Sequence, residues 1–227
     1  MKRGLVVVLA ALVGCVGPQR GPGTAGPGTD GGSTGTDSGS GGSDGSDGGG
    51  GLPAYPAGPY GHQIGDTLPN LALAGYRLTP AQTDSTRVPW TTNLQLGDYH
   101  QPACQCLVVT IGAIWCTACQ QEQPQLVSDV ASDSSFCVLG VLQEGQFQGS
   151  PATRADVDTW TQTYLQDFSV AQGSSATDDL LNGFGSTIGL PFSFVVKPSS
   201  MKVLDVVQGF DPQIHANAMA ECQAAPN

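Results

Sequence analysis

The sequence predicts an α/β domain in which a mixed central sheet carries helices on both faces. Two near-continuous apolar runs, residues 106–114 and 136–142, read as parallel strands buried on both faces. Helical spacing lies between and after them, with Val157, Trp160, Tyr164 and Leu165 on one stripe of residues 153–165. Two further apolar segments, 190–196 and 203–209, read as a closing hairpin. Parallel strands joined by helices and finished by a hairpin give a sheet covered on both sides.

The chain has 227 residues, and its first part does not belong to that domain. Lys2-Arg3, an apolar segment over residues 5–13 and then Gly14-Cys15 read as a secretory signal, too short to span a bilayer. Leu12-Val13-Gly14-Cys15 resembles the lipobox of bacterial lipoproteins, which implies that Cys15 becomes the lipid-bearing first residue of the mature chain. Val16 stands where an Asp would favour inner-membrane retention in that family, so the resemblance favours an outer-membrane anchor. From Val16 to about Pro59 the chain is mostly Gly, Ser, Thr, Asp and Pro. So few apolar side chains do not offset the entropy of ordering, and a flexible tether with a reach of roughly 35 Å is expected. Its Asp-Gly spacing lacks the period and apolar position of calcium-binding repeats. The expected organisation is a signal over 1–14, a lipid-bearing cysteine and tether over 15–59, and one domain over 60–227.

Within the domain, residues 65–73 read as a first strand or hairpin and 94–99 as a short turn before the central strand. The helix opened by Cys116 runs toward Val130, with Pro124 expected to kink it. Residues 168–170 suggest a short strand, 178–184 a short helix, and 212–222 a closing helix.

The formal net charge is −11, and removing Lys2 and Arg3 from the eight basic residues leaves six against nineteen acidic ones, a mature charge of −13. That balance, with no basic stripe, disfavours nucleic acid and anionic lipid surfaces as partners.

Chemistry concentrates in Trp115-Cys116-Thr117-Ala118-Cys119. The two thiols sit where a strand hands over to a helix N-terminus. Unpaired N–H groups and the helix dipole there stabilise a thiolate, the species that attacks disulfides.

The order of strand, Trp-Cys-x-x-Cys, helix, strand, helix and then Pro191 before a hairpin resembles the thioredoxin superfamily. Leu96-Gly97-Asp98-Tyr99, the segment from Cys116 to Pro124, and Gly189-Leu190-Pro191-Phe192-Ser193-Phe194 are similar to the TlpA/ResA-like extracytoplasmic thiol-disulfide oxidoreductases. The similarity covers roughly residues 65–221. It implies a thioredoxin-like three-layer fold, with Cys116 as an exposed attacking nucleophile and Cys119, one turn later, as a buried resolving thiol. It also implies Trp115 packed beside the pair, and a cis bond before Pro191 that exposes the Leu190 backbone to an extended substrate. Thr110 replaces the buried Asp that thioredoxins carry six residues before the first cysteine. The resemblance to the ResA-like branch assigns proton transfer to Glu144 instead. Thr117-Ala118 contains no cationic residue, which leans toward a reducing or intermediate potential.

Cys104, Cys106, Cys137 and Cys222 remain, and an even number in an exported chain favours disulfides. In the implied fold all four fall at the pole opposite Cys116. Two structural bridges are expected, with a lean toward Cys106-Cys137 and Cys104-Cys222 among three pairings. No metal site is expected. A strand between Cys106 and Cys116 would hold the two pairs of thiols about 30 Å apart, and His62, His100 and His215 show no ligand spacing. Ala113, where peroxiredoxins need Thr, disfavours a hydroperoxidase.

The sequence therefore reads as a monomeric, lipid-anchored thiol-disulfide oxidoreductase of the cell envelope, facing the periplasm or exterior. It would reduce or isomerise disulfides of extracytoplasmic proteins without a prosthetic group and draw electrons from an envelope donor. The rival readings are a non-catalytic binding module on the same scaffold and a copper-delivery protein.

Overall fold

Strand β3 (Cys106–Ala113) is the axis of a seven-stranded sheet, and every residue in it except Gly112 is buried. The computed structural model describes residues 54–78, 88–101, 103–164, 166–185 and 187–226. The expected signal, Cys15 and the tether up to residue 53 lie outside them. Among the described residues no helix is long and apolar enough to cross a membrane.

In chain order the elements begin with β1 (Ala72–Tyr76), β2 (Trp90–Gln95), a 3-10 turn (Leu96–Tyr99), β3 and α1 (Thr117–Ser132). They continue with β4 (Phe136–Glu144), α2 (Arg154–Tyr164), β5 (Ser169–Gln172) and α3 (Ser175–Asn182), and end with β6 (Phe192–Lys197), β7 (Lys202–Gln208) and α4 (Pro212–Ala224). The strand order is β2-β1-β5-β4-β3-β6-β7. The pairs β3-β4 and β4-β5 are parallel, whereas β6, β7, β1 and β2 are added antiparallel.

The connections decide the layers. From β3 through α1 to β4, and from β4 through α2 to β5, the chain steps the same way across the sheet. Right-handed crossovers therefore put α1 and α2 on one face. From β5 the chain returns past β3 to the antiparallel β6, and the packing of Leu180 and Leu181 puts α3 on the other face. Strand alternation divides the core accordingly. Leu107, Val109 and Ile111 pack with Leu180 and Leu181 of α3, whereas Cys106 and Val108 pack with Leu126 of α1, Val157 and Trp160 of α2, and Ala218 and Cys222 of α4.

The same alternation corrects the expected cysteine pairing. In the parallel β3-β4 ladder Cys106 lies opposite Phe136, and Leu107 lies opposite Cys137. Cys137 thus shares the α3 face with Leu107, and Cys106 points to the other side. The bridges are Cys104–Cys137, with Cα atoms 5.8 Å apart, and Cys106–Cys222, at 5.7 Å. The Cys106-Cys137 and Cys104-Cys222 pairing would have to pass through the sheet. Both bridges are at the N-terminal ends of β3 and β4, the pole opposite the redox motif, as the topology implied.

Other differences are local. The expected first strand over 65–73 begins only at Ala72, and its antiparallel partner β2 was not foreseen. Residues 65–68 instead lie along the start of β7, with Gly65 N–H on Val203 O at 2.8 Å and Leu68 N–H on Met201 O at 2.9 Å. On the tether side of the expected boundary, Tyr55 is half-buried and donates its hydroxyl to Leu68 O at 2.8 Å. Helix α1 continues through Pro124 to Ser132.

Candidate functional site

The C-terminal ends of β3 and β4, the start of β6 and the first turn of α1 meet at one pole of the sheet. Cys116 is the N-cap of α1 and Cys119 lies one turn in, and the two form a disulfide with Cα atoms 5.2 Å apart. Cys119 N–H donates to Cys116 Sγ at 3.1 Å. In a helix N-terminus the cap accepts orphan N–H groups, so a Cys116 thiolate inherits that donor together with the positive end of the helix. The expectation that Cys116 is exposed needs adjusting: it is 5% exposed and Cys119 1%. Cys116 is thus the more exposed residue of a largely covered pair.

Trp115 is half-buried, and its Nε1–H donates to Glu144 Oε2 at 2.8 Å. The same carboxylate oxygen accepts Gly149 N–H at 3.0 Å. Glu144 therefore anchors the indole and the loop after β4.

The carboxyl on the buried side of the pair is a different one, Glu122. It lies three residues after Cys119, so both project from one face of α1. That face lies over Thr110 and Gly112 of β3: Thr110 Oγ1 donates to Glu122 Oε2 at 2.8 Å, and a Cβ on Gly112 would stand 3.3 Å from Cys119 Sγ. Ser193, which lies opposite Thr110 in the β3-β6 ladder, donates to Glu122 Oε1 at 3.3 Å. Glu122 is 2% exposed, and burial pushes its carboxyl up to about 7 against the opposing pull of the Thr110 and Ser193 hydrogen bonds. Thr110, Gly112, Glu122 and Gln123 line one small cavity together with Val141, Leu142, Trp160 and Val170, so the carboxyl and the strand under Cys119 border a common, mostly apolar space.

The Leu190-Pro191 peptide bond is cis. Gly209 N–H holds Pro191 O at 2.8 Å, which fixes the turn to the end of β7. The N–H and C=O of Leu190 make no backbone hydrogen bond among the described residues, while its side chain packs against both cores.

The structure thus brings together Trp115, Cys116, Cys119 and Glu144 at one pole, with Leu190 and Pro191 at the start of β6 on the same pole. Cys15 lies outside the described residues. Sequence reasoning missed Glu122. The signal was present in the three-residue step from Cys119 and in Thr110, the hydroxyl facing that step from β3. The histidines are dispersed: His62 packs on Phe184, His100 Nδ1 is 2.6 Å from Pro198 O, and His215 Nε2 is 3.3 Å from Asp129 Oδ2. Among the described residues no three His, Cys, Asp or Glu side chains are grouped for a metal ion.

No protein-family model and no curated protein matches the sequence. The structure is similar to that of a protein described as thiol:disulfide interchange protein DsbE from Chlorobium tepidum, with TM-score 0.51 and 21% identity over 71% of this chain and 98% of that one. It is also similar to an uncharacterized conserved protein from Geobacillus kaustophilus, with TM-score 0.51 and 13% identity over 73% of this chain and 85% of that one. The likeness is one of fold. The α/β, thioredoxin-like architecture expected from the sequence is the one observed.

Proposed function

We propose that this thioredoxin-fold chain is a thiol-disulfide oxidoreductase that reduces or isomerises disulfides of polypeptides outside the cytoplasm. The observation that carries the proposal is the cysteine pair itself: Cys116 caps α1 and receives the Cys119 N–H, and Cys119 lies on the buried face that Glu122 shares. The similar protein from Chlorobium tepidum is described as a thiol:disulfide interchange protein, which agrees with this reading.

In the reductive direction the Cys116 thiolate attacks one sulfur of a client disulfide. The client S–S bond breaks, the first client sulfur leaves as thiolate, and a Cys116–client mixed disulfide forms. The Cys119 thiol gives its proton to the Glu122 carboxylate and attacks Cys116 Sγ. The second client sulfur departs, Cys116–Cys119 closes, and two electrons have passed to the client. A dithiol donor restores the pair by the reverse sequence. Trp115 covers the pair, and the Leu190 backbone offers a partner to an extended client.

The test is reduction of a cyclic disulfide peptide by the domain recycled with dithiothreitol. Turnover is expected from the wild type and none above background from Cys116→Ser; equal rates from the two would refute the proposal.

Glu122 gives a second signature. Its carboxyl is raised from 4.5 to about 7 in the folded chain, so the fold binds this proton more tightly than the unfolded chain does. The group therefore favours the fold fully below pH 4.5, and its contribution is lost as pH rises to 7, about 3 kcal/mol in total. Glu122→Gln, an isostere of the protonated form, is expected to flatten that decline and to be the more stable protein at pH 8 in urea titrations. It is also expected to slow reductive turnover above pH 7 by about 10²-fold. A variant that keeps the wild-type pH profile would remove Glu122 from the proton path.

The lipid anchor is part of the same reading. The two bridges Cys104–Cys137 and Cys106–Cys222 suit an oxidising compartment. Cys15→Ser is expected to move the protein from the membrane to the soluble fraction; retention in the membrane would reject the anchor.

A further inference from the structure

Phe147 is 76% exposed, the most exposed large apolar side chain among the described residues. A single exposed apolar residue is ordinary, but this one is held in place. Its loop closes on itself through Gly145 N–H to Ser150 O at 2.8 Å, Ser150 N–H to Phe147 O at 3.0 Å and Phe147 N–H to the Ser150 hydroxyl at 3.2 Å. Gly149, with φ +79°, makes the turn that aims its N–H at Glu144 Oε2. The same oxygen holds Trp115 Nε1–H, and Trp115 adjoins Cys116. One carboxylate therefore fastens the phenyl-bearing loop to the indole beside the reacting sulfur. Phe147 is two residues before Gly149, so the ring lies on the order of 20 Å from Cys116, a span of about six extended residues.

We propose that Phe147 is a docking residue for clients. It takes an apolar side chain of the polypeptide whose cysteine is joined to Cys116, within about six residues of that cysteine. Glu144 is the positioning residue that holds Trp115 and the Phe147 loop as one rim. The occupant follows from continuity with the redox site: whatever lies across this rim during exchange is the chain covalently bound to Cys116. This proposal rests on the thiol-disulfide reading above.

The test uses two cyclic disulfide peptides, otherwise polar, that carry either Leu or Ser at one position within six residues of a cysteine. The wild type is expected to show a KM about tenfold lower for the Leu peptide. Phe147→Ser is expected to erase that preference through KM while leaving kcat, the Ser-peptide kinetics and the Cys116–Cys119 equilibrium with glutathione unchanged. Phe147→Leu should retain the preference. Glu144→Ala should raise KM for the Leu peptide and shift Trp115 fluorescence, and Glu144→Gln, whose amide oxygen still accepts both N–H groups, should restore both. Equal KM values for the two peptides in the wild type, or an undiminished preference in Phe147→Ser, overturn the docking role and leave the oxidoreductase intact. Failure of the wild type to reduce either peptide overturns both.

Discussion

Cys119→Ser is expected to convert the protein from a turnover enzyme into a trap. Cys116 keeps its place at the N-cap, where helix N–H groups and the dipole stabilise its thiolate. It can therefore still attack a client disulfide. The mixed disulfide then has no neighbour to resolve it, because in the wild type the second sulfur is supplied within the same turn, at a Cα separation of 5.2 Å. Positioning of that kind is worth effective molarities far above any added thiol, so multiple turnover should fall at least ~10³-fold. Intact-mass measurement after exposure to a disulfide peptide should show the variant carrying one peptide adduct on Cys116. Cys116→Ser should show none. An adduct on Cys119 in the Cys116→Ser variant, at comparable rate, would reverse the two roles.

The second large effect is on stability. Cys106–Cys222 ties the start of the central strand to the end of α4 across a sequence separation of 116 residues, and both cysteines are fully buried. Closing a loop of that length removes about 5 kcal/mol of chain entropy from the unfolded state. The Cys104–Cys137 loop spans 33 residues and is worth about 4 kcal/mol on the same basis. Domains of this size are stable by only about 5–15 kcal/mol. Cys106→Ala/Cys222→Ala is thus expected to lose a large share of the total in urea denaturation, and more than Cys104→Ala/Cys137→Ala. Alanine avoids burying a hydroxyl. A loss below about 1 kcal/mol would mean that the sheet and the α4 packing hold the C-terminus without the bridge.

Much of this architecture was legible because it is written in strong local signals. Residues 106–114 are apolar except at Thr110, which suits a strand covered on both faces. A Cys-x-x-Cys directly after such a strand fixes where the helix begins, and a proline opening a later apolar run marks the turn beside it. Strand β2 was hidden because Trp90-Thr91-Thr92-Asn93 lacks clean alternation, and its pairing with β1 depends on partners distant in sequence.

The site was less legible than the fold. Gln120-Gln121-Glu122-Gln123 is a run of polar residues, yet Glu122 and Gln123 are buried. Only the tertiary placement of Thr110 and Ser193 gives Glu122 its partners. The resemblance points to Glu144 for proton transfer, and its contacts to the Trp115 indole and Gly149 N–H appear only once the loop after β4 is folded. The cysteine pairing depended on a one-residue offset in the β3-β4 register, which decides the face each sulfur takes.

The most direct test of the account is the redox equilibrium of the domain lacking Cys15 in graded glutathione and dithiothreitol buffers, with thiol labelling and peptide mass mapping. The account predicts that Cys116 and Cys119 titrate together as one reversible two-electron couple while Cys104–Cys137 and Cys106–Cys222 stay oxidised. A potential near −270 mV, about that of thioredoxin, would mark a reductant. If Cys116–Cys119 resists reduction across the whole range, or if the other bridges open before it, the pair is structural and the proposed activity is contradicted.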